Sequence, residues 1–389
     1  MNRARSIREG IVDIDGQPLR NFGSCSYLAL EHHPALVGAA RDAAAEWGTQ
    51  FSISRAYLEH PLYEQLEDAL GHMTCGQVLV APTTTLAHFA ALPVLIGDDD
   101  AVVIDQFAHA SLHAAVQLLG GAHLETLRHG RLERLEERLA ELGPKHARVW
   151  HVLDGLYSMR GDLPDFAELK ALLHRHPMLH LYIDDAHATS WCGARGRGAA
   201  LDALGGEERV VVALSLNKAF AAAGGALVLP RAELKWSIRR CGGPMLFSGP
   251  IQPPLLSAAL ASARLHLRPE LDALQNEEMT RIDAALEALA DAQIPLVSRA
   301  RTPIFMVPFP STELVFAAVR QLRQAGYYVC PSVFPAVPVN RAGIRFTITR
   351  HNDAHTIQRF VAHLRDAITQ CAGPVQREPR GMLEHSTAG

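Results

Sequence analysis

Between about residues 45 and 240, short apolar runs rich in β-branched residues alternate with segments of helical periodicity, and this constrains the fold more than any other feature of the sequence. "GQVLVAPTTTLAHFAALPVL" reads as strand, turn and helix. "AVVID" is a short buried strand followed by the helical "QFAHASLHAAVQLL". "ARVWHVLDGLYSM", "LHLYIDDAHATS" and "ERVVVALSLNKAF" each begin as an apolar β-rich run and end in polar residues. "RLERLEERLAEL" and "DFAELKALLHRH" supply helices between them. Such alternation predicts an α/β domain whose mostly parallel central sheet is flanked by helices.

The pattern changes after "GGPMLFSGPIQPP". A helix-rich stretch over 253–292 leads into "TPIFMVPF", a helix over 312–325, "YYVCPSVFP", "GIRFTITR" and a final helix near 354–370, which together read as a smaller α+β domain. The expected organisation is an N-terminal arm (1–44), a large domain (45–245), a small C-terminal domain (246–372) and a flexible tail (373–389). At 389 residues, 48% hydrophobic and 20% charged, the chain can build two proper cores. A net charge of −4 without a block of like charge gives no footprint for a nucleic-acid partner. No stretch reaches the roughly 18 apolar residues of a membrane span, so a cytoplasmic protein is expected. The six cysteines form no CxxC pair, which argues against a disulfide framework and a cysteine zinc site. "HNDAH" would put His351 and His355 on one helical face, but no third ligand accompanies them, and no metal centre is expected.

Each predicted strand delivers chemistry at its carboxyl end, where open α/β sheets bind ligands: Thr83 and Thr84, His109, Ser158, Asp184 with His187, and Lys218. Alone, Lys218 reads as a solvated lysine at a helix end. Five strand ends carrying titratable or hydroxyl groups on one edge do not follow from packing. The set suits pyridoxal phosphate: a lysine for a Schiff base with the aldehyde, a carboxylate for the ring nitrogen, and a helix N-terminus for the phosphate.

The motifs "NFGSCSYLALEHHP", "IDQFAHAS", "DGLYSMRGDLPDF", "IDDAHATSWCGARGRGA", "SLNKAFAAAGG" and "IRFTITR" extend this over residues 15–370. Together they resemble the α-oxoamine synthase family of fold-type I pyridoxal-phosphate enzymes, which includes 8-amino-7-oxononanoate synthase, 2-amino-3-ketobutyrate ligase, serine palmitoyltransferase and α-aminoketone autoinducer synthases. The resemblance implies an acyltransferase that condenses an amino acid with an acyl thioester, losing carbon dioxide and giving an α-aminoketone. It implies that Lys218 holds the cofactor, Asp184 pairs with the ring nitrogen and His109 stacks on the ring. His187 and Ser158 would meet the 3′-oxygen region. Ser215, with the backbone after "APTT" and with Ser248, would help hold the phosphate, while Arg345 and Ser26 would bind substrate, Arg345 through the amino acid's carboxylate. A homodimer with its site at the interface is likewise implied.

The sequence departs from the family pattern at Tyr63, where histidine is usual, at Ala188 and Ser190, where glycines are usual, and at Asp154, where glutamate is common. An aminotransferase or an aldolase-type lyase acting on a small amino acid would share Lys218 and Asp184, and a non-catalytic protein would share the fold.

Overall fold

The computed structural model describes residues 3–372, so the expected tail over 373–389 lies outside the described residues. Three N-terminal strands, β1 (Ala4–Arg8), β2 (Ile11–Ile14) and β3 (Gln17–Asn21), form an antiparallel meander. Seven strands then make the central sheet: β4 (Gln77–Ala81), β5 (Ala101–Asp105), β6 (His123–Leu127), β7 (Val149–Asp154), β8 (Leu179–Asp184), β9 (Val210–Ser215) and β10 (Gly225–Leu229). Their order is β4-β10-β9-β8-β7-β5-β6. All neighbours pair in parallel except at β10, which is antiparallel to both β4 and β9.

Alternate residues of these strands feed two cores, as the two-residue period of a strand requires. Val103, Leu153, Leu181, Ile183 and Val212 pack on one face with Leu66, Leu139 and Leu172 from helices. Val102, Ile104, Trp150, Val152 and Tyr182 pack on the other with Ala87, Leu112 and Ile238. Both faces are therefore covered, and the polar residues beyond the strand ends have only the sheet's edge to occupy.

The small domain holds a second antiparallel sheet of β11 (Ile304–Pro308), β13 (Cys330–Ser332) and β14 (Gly343–Thr347), in the order β11-β14-β13. Between them β12 (Tyr327–Tyr328) pairs in parallel with β3. The N-terminal arm thus packs as part of the small domain: Phe22 stacks on Phe360 at 4.0 Å, and the Thr347 N–H donates to the Phe22 carbonyl at 2.7 Å. The helix Pro253–His266, placed by the sequence in the small domain, buries Leu256, Ala259, Leu260 and Ala263 in the large domain's core and packs on the helices Pro34–Trp47 and Pro61–Thr74. Its apolar face is complementary to those helices, a fact that periodicity alone does not carry.

His351 and His355 do not share a helical face. The final helix runs over Ala354–Ala372, and His351 sits in the turn before it, with Nε2 3.0 Å from a Glu31 carboxylate oxygen. No helix among the described residues is long and apolar enough to cross a membrane.

Candidate active site

The carboxyl ends of β5, β7, β8 and β9, with the turn after β4, surround a cavity of about 300 Å3. Thr83, Thr84, His109, Asp184, His187, Ser215 and Lys218 all line it, together with Thr85, Ser111, Asp154 and Asn217. Ser158 lies outside this cavity and lines a neighbouring one. Its carbonyl accepts the Nε–H of Arg345 at 2.6 Å. Ser248, partly exposed after a short helix, lines neither cavity, and its hydroxyl is directed at the Gly249 carbonyl. The Ser26 hydroxyl donates to Glu31.

Thr83 caps the helix Thr84–Leu95, its hydroxyl accepting the Leu86 N–H at 3.0 Å, and the Thr84 hydroxyl donates to the Leu214 carbonyl at 3.1 Å. With both hydroxyls so engaged, the anion-binding capacity of this helix end resides in its free N–H groups. Gly225, opposite Ser215 and Ala81 in the sheet, makes the close approach possible, because a Cβ there would lie 2.4 Å from the Thr84 nitrogen.

Asp184 is buried at the wall of this cavity. One of its oxygens accepts the Ala186 N–H at 3.0 Å, and the other lies 3.0 Å from His88 Nε2, whose Nδ1 is 2.9 Å from the Tyr182 hydroxyl. Burial opposes its ionisation, yet His88, Lys218 and His109 outweigh burial and bring its pKa down to about 2. Asp154, its register partner on β7, behaves oppositely: burial and then the Asp184 charge push its pKa well above the carboxylate range. Two buried carboxyl groups side by side divide into one anion and one neutral acid. Burial also lowers the Lys218 ammonium pKa against the pull of Asp184, which favours the nucleophilic free amine. Next to it, His187 is kept neutral by burial and by the charges of Lys218 and Arg345, and its Nδ1 meets the Tyr27 hydroxyl at 2.8 Å.

A lysine with a depressed pKa, a buried carboxylate anion and a helix N-terminus in one cavity form the donor set that pyridoxal phosphate needs. The family model for class I and II aminotransferases matches residues 18–364. An 8-amino-7-oxononanoate synthase of Stutzerimonas stutzeri is 33% identical over 365 residues, covering 92% of this chain and 89% of the relative. A putative 8-amino-7-oxononanoate synthase of Desulforudis audaxviator is 31% identical over 360 residues, covering 92% and 91%. The chain belongs to the α-oxoamine synthase family. Among solved structures, serine palmitoyltransferase from S. paucimobilis superposes with a TM-score of 0.89 at 22% identity, covering 96% of this chain and 93% of that one. The 8-amino-7-oxononanoate synthase from Francisella tularensis gives 0.75 at 18%, covering 90% and 98%. These likenesses show the fold-type I architecture. As an α-oxoamine synthase the protein is a pyridoxal-phosphate-dependent acyltransferase that condenses an amino acid with an acyl thioester.

His88 and Tyr27, which meet Asp184 and His187 in this α-oxoamine synthase site, escaped the sequence reading, whereas Arg345 was expected. His88 lies within a helix that reads as apolar packing, and only the fold shows that it faces the end of β8. Tyr27 comes from the N-terminal arm, whose path over the site no local pattern records. Arg345 is buried on β14, its Nη2 3.6 Å from Cys25 Sγ, so the "GSCS" segment packs against it. The departures from the family pattern also find places. The Tyr63 hydroxyl accepts the Ile251 N–H at 2.7 Å under the Arg55 guanidinium, and Ser190 takes a positive φ of 84° with its hydroxyl 2.7 Å from His266 Nε2.

Proposed function

We propose that this α-oxoamine synthase joins a small amino acid to the acyl group of an acyl-CoA or acyl-carrier-protein thioester, releasing the thiol and carbon dioxide and leaving an α-aminoketone. The observation that carries this reading is that the polar cavity lined by Asp184 and Lys218 shares His109 with a larger, mostly apolar one. A transamination needs only the polar cavity.

Pyridoxal phosphate, when bound, supplies the aldehyde that joins the amino group and the ring that takes up the electron pair left at Cα. Lys218 would hold it and, once freed, would accept the Cα proton on Nζ. Asp184 would keep the ring nitrogen protonated, with His88 restraining the carboxylate. His109 would lie against the ring, and neutral His187 would present Nε2–H to the 3′-oxygen while Nδ1 accepts from Tyr27. The free N–H groups at Thr84 and Thr85, with Ser215, would hold the phosphate. Arg345 would bind the amino acid's carboxylate, and Ser26 would support that site through the segment packed on it. The Cα–acyl bond would form as the C–S bond breaks, the thiolate leaving and taking up a proton; the Cα–carboxylate bond would then break, carbon dioxide would depart, and Cα would take a proton in its place.

A homodimer is part of this reading. Tyr57 and Phe247 are each 88% exposed on adjoining segments tied by the Ser54 hydroxyl on the Leu246 carbonyl, and Ser248 lies beside Phe247 without lining the smaller cavity. Sedimentation of the holoenzyme reads this directly.

The reaction is tested with alanine, glycine, serine and 2-aminobutyrate against thioesters of CoA and of acyl carrier protein. Thiol and carbon dioxide released in equal amounts, only when both substrates are present, is the expected result. Amino-group transfer to a keto acid with the thioester intact would replace this reading with an aminotransferase.

A further inference from the structure

We infer that the larger cavity seats the acyl chain of the donor and selects an unbranched, uncharged chain of roughly eight carbons or more. This rests on the condensation reading above. The cavity measures about 690 Å3 and shares His109 with the smaller one, so the two adjoin on either side of that side chain. Phe107, Tyr157, Met159, Val297, Met306 and Val337 give it an apolar lining. The two methionines are unbranched and polarizable, which suits a flexible chain.

Size argues against a short donor. At about 30 Å3 for a methylene-sized group, near the volume share of one water, the cavity has room for roughly twenty such groups. An acetyl donor would leave most of it wetted and its apolar walls unused. Charge argues against a donor ending in a carboxylate. Neither arginine of the lining is a buried, unpaired cation that a carboxylate would neutralise: Arg160 is tied to Asp162 at 2.9 Å, Arg341 is solvent-exposed, and both guanidinium carbons lie against the Phe107 ring, 5.3 and 5.5 Å from its centroid. The wall on that side is held in place, because Asp162 is in turn 3.1 Å from His129 Nε2, and His129 Nδ1 is 3.0 Å from Asp105.

The test gives the holoenzyme acetyl, hexanoyl, decanoyl, hexadecanoyl and ω-carboxyhexanoyl thioesters of pantetheine and CoA with one amino acid. The expected kcat/KM rises at least about tenfold from acetyl to decanoyl, with the ω-carboxy donor below its uncharged counterpart. Val297→Trp fills the cavity and should narrow the decanoyl-to-acetyl ratio by about tenfold. Val297→Ala, which carries no risk of overpacking, should move the optimum to longer chains. In parallel, the unreactive decyl thioether of pantetheine, titrated calorimetrically into holoenzyme, should bind with a negative heat-capacity change that Val297→Trp diminishes. A flat chain-length profile, or a preference for the ω-carboxy donor that Arg341→Ala removes, overturns the assignment. If no thioester is turned over, the condensation reading fails while the thioether titration still decides what the cavity holds.

Discussion

In the smaller cavity the side chains come from the ends of neighbouring strands in one sheet, and Asp184, His187 and Thr84 are each held by a hydrogen bond of about 3 Å. The larger cavity is walled by segments from both domains: Phe107, Tyr157 and Met159 follow strands of the large one, while Val297, Met306 and Val337 come from the small one. The first holds charges at set positions, as electrostatic preorganisation demands. The second offers shape and apolar surface, which can tolerate exchange of one hydrophobic residue for another. Catalytic power should therefore be concentrated in the first and donor choice in the second.

That division is most exposed to failure at Lys218. Lys218→Ala should abolish borohydride-stable attachment of pyridoxal phosphate and lower turnover by roughly 10^3-fold or more with every donor. A pyridoxyl label found on another lysine would break the assignment of the cavity. Asp184→Asn comes next: deuterium washout from Cα of the bound amino acid should slow by roughly 10^2-fold, again without altering donor preference. Washout at the wild-type rate would show that another group supports the ring.

His88 sharpens the comparison, because it acts only through Asp184 and so tests how far catalysis depends on positioning. His88→Leu removes an interaction that lowers the Asp184 pKa, so the acid limb of the exchange pH profile should shift upward, with a loss of roughly tenfold. His88→Gln, which can still hydrogen-bond Asp184, should restore part of the rate. An unmoved acid limb in the leucine variant would reduce His88 to packing.

The smallest effect belongs to the wall of the larger cavity. Burial disfavours a charged His129, but the hydrogen bonds that its ring N–H groups donate to Asp105 and Asp162 outweigh it and raise its pKa to about 9, above the usual 6.5. A cation favoured by folding stabilises fully below about pH 6.5, and that contribution is lost as pH rises through 9. Allowing for solvent screening, unfolding stability should fall by about 1–2 kcal/mol between pH 6.5 and 10. Chemical denaturation across that range would measure it, and His129→Gln should flatten the dependence. A variant as pH-sensitive as the wild type would place the titration elsewhere.

The smaller cavity was legible because each of its strands is a continuous apolar run that stops at a polar residue, so the sheet's edge could be read off as Thr83, Thr84, His109, Asp184, His187 and Lys218, with Ser215 added by the family resemblance. The antiparallel strand β10 was less legible. "GALVL" is as apolar as its parallel neighbours, and strand direction is set by the loop that precedes it. Ser158 also follows β7, and the resemblance assigns it to the cofactor; in the fold its carbonyl accepts from Arg345 and the residue lines the other cavity. His88 was hidden for a related reason: a histidine on an apolar helix gives the same local pattern whether it packs in a core or restrains a catalytic carboxylate.

The sequence by itself determined the α/β class, the sheet edge that carries the chemistry and the residue types gathered there, since burial on both faces of a parallel sheet leaves its polar residues no other place. Tertiary structure alone set these two carboxyl groups, Asp184 and Asp154, apart, because burial and then the Asp184 charge raise the pKa of Asp154 while His88, Lys218 and His109 outweigh burial at Asp184. It alone brought Tyr27 and Arg345 from opposite ends of the chain to the same site, and closed residues of two domains around one apolar cavity. Local periodicity records which face of an element avoids water; which other element covers that face depends on packing between segments distant in the chain.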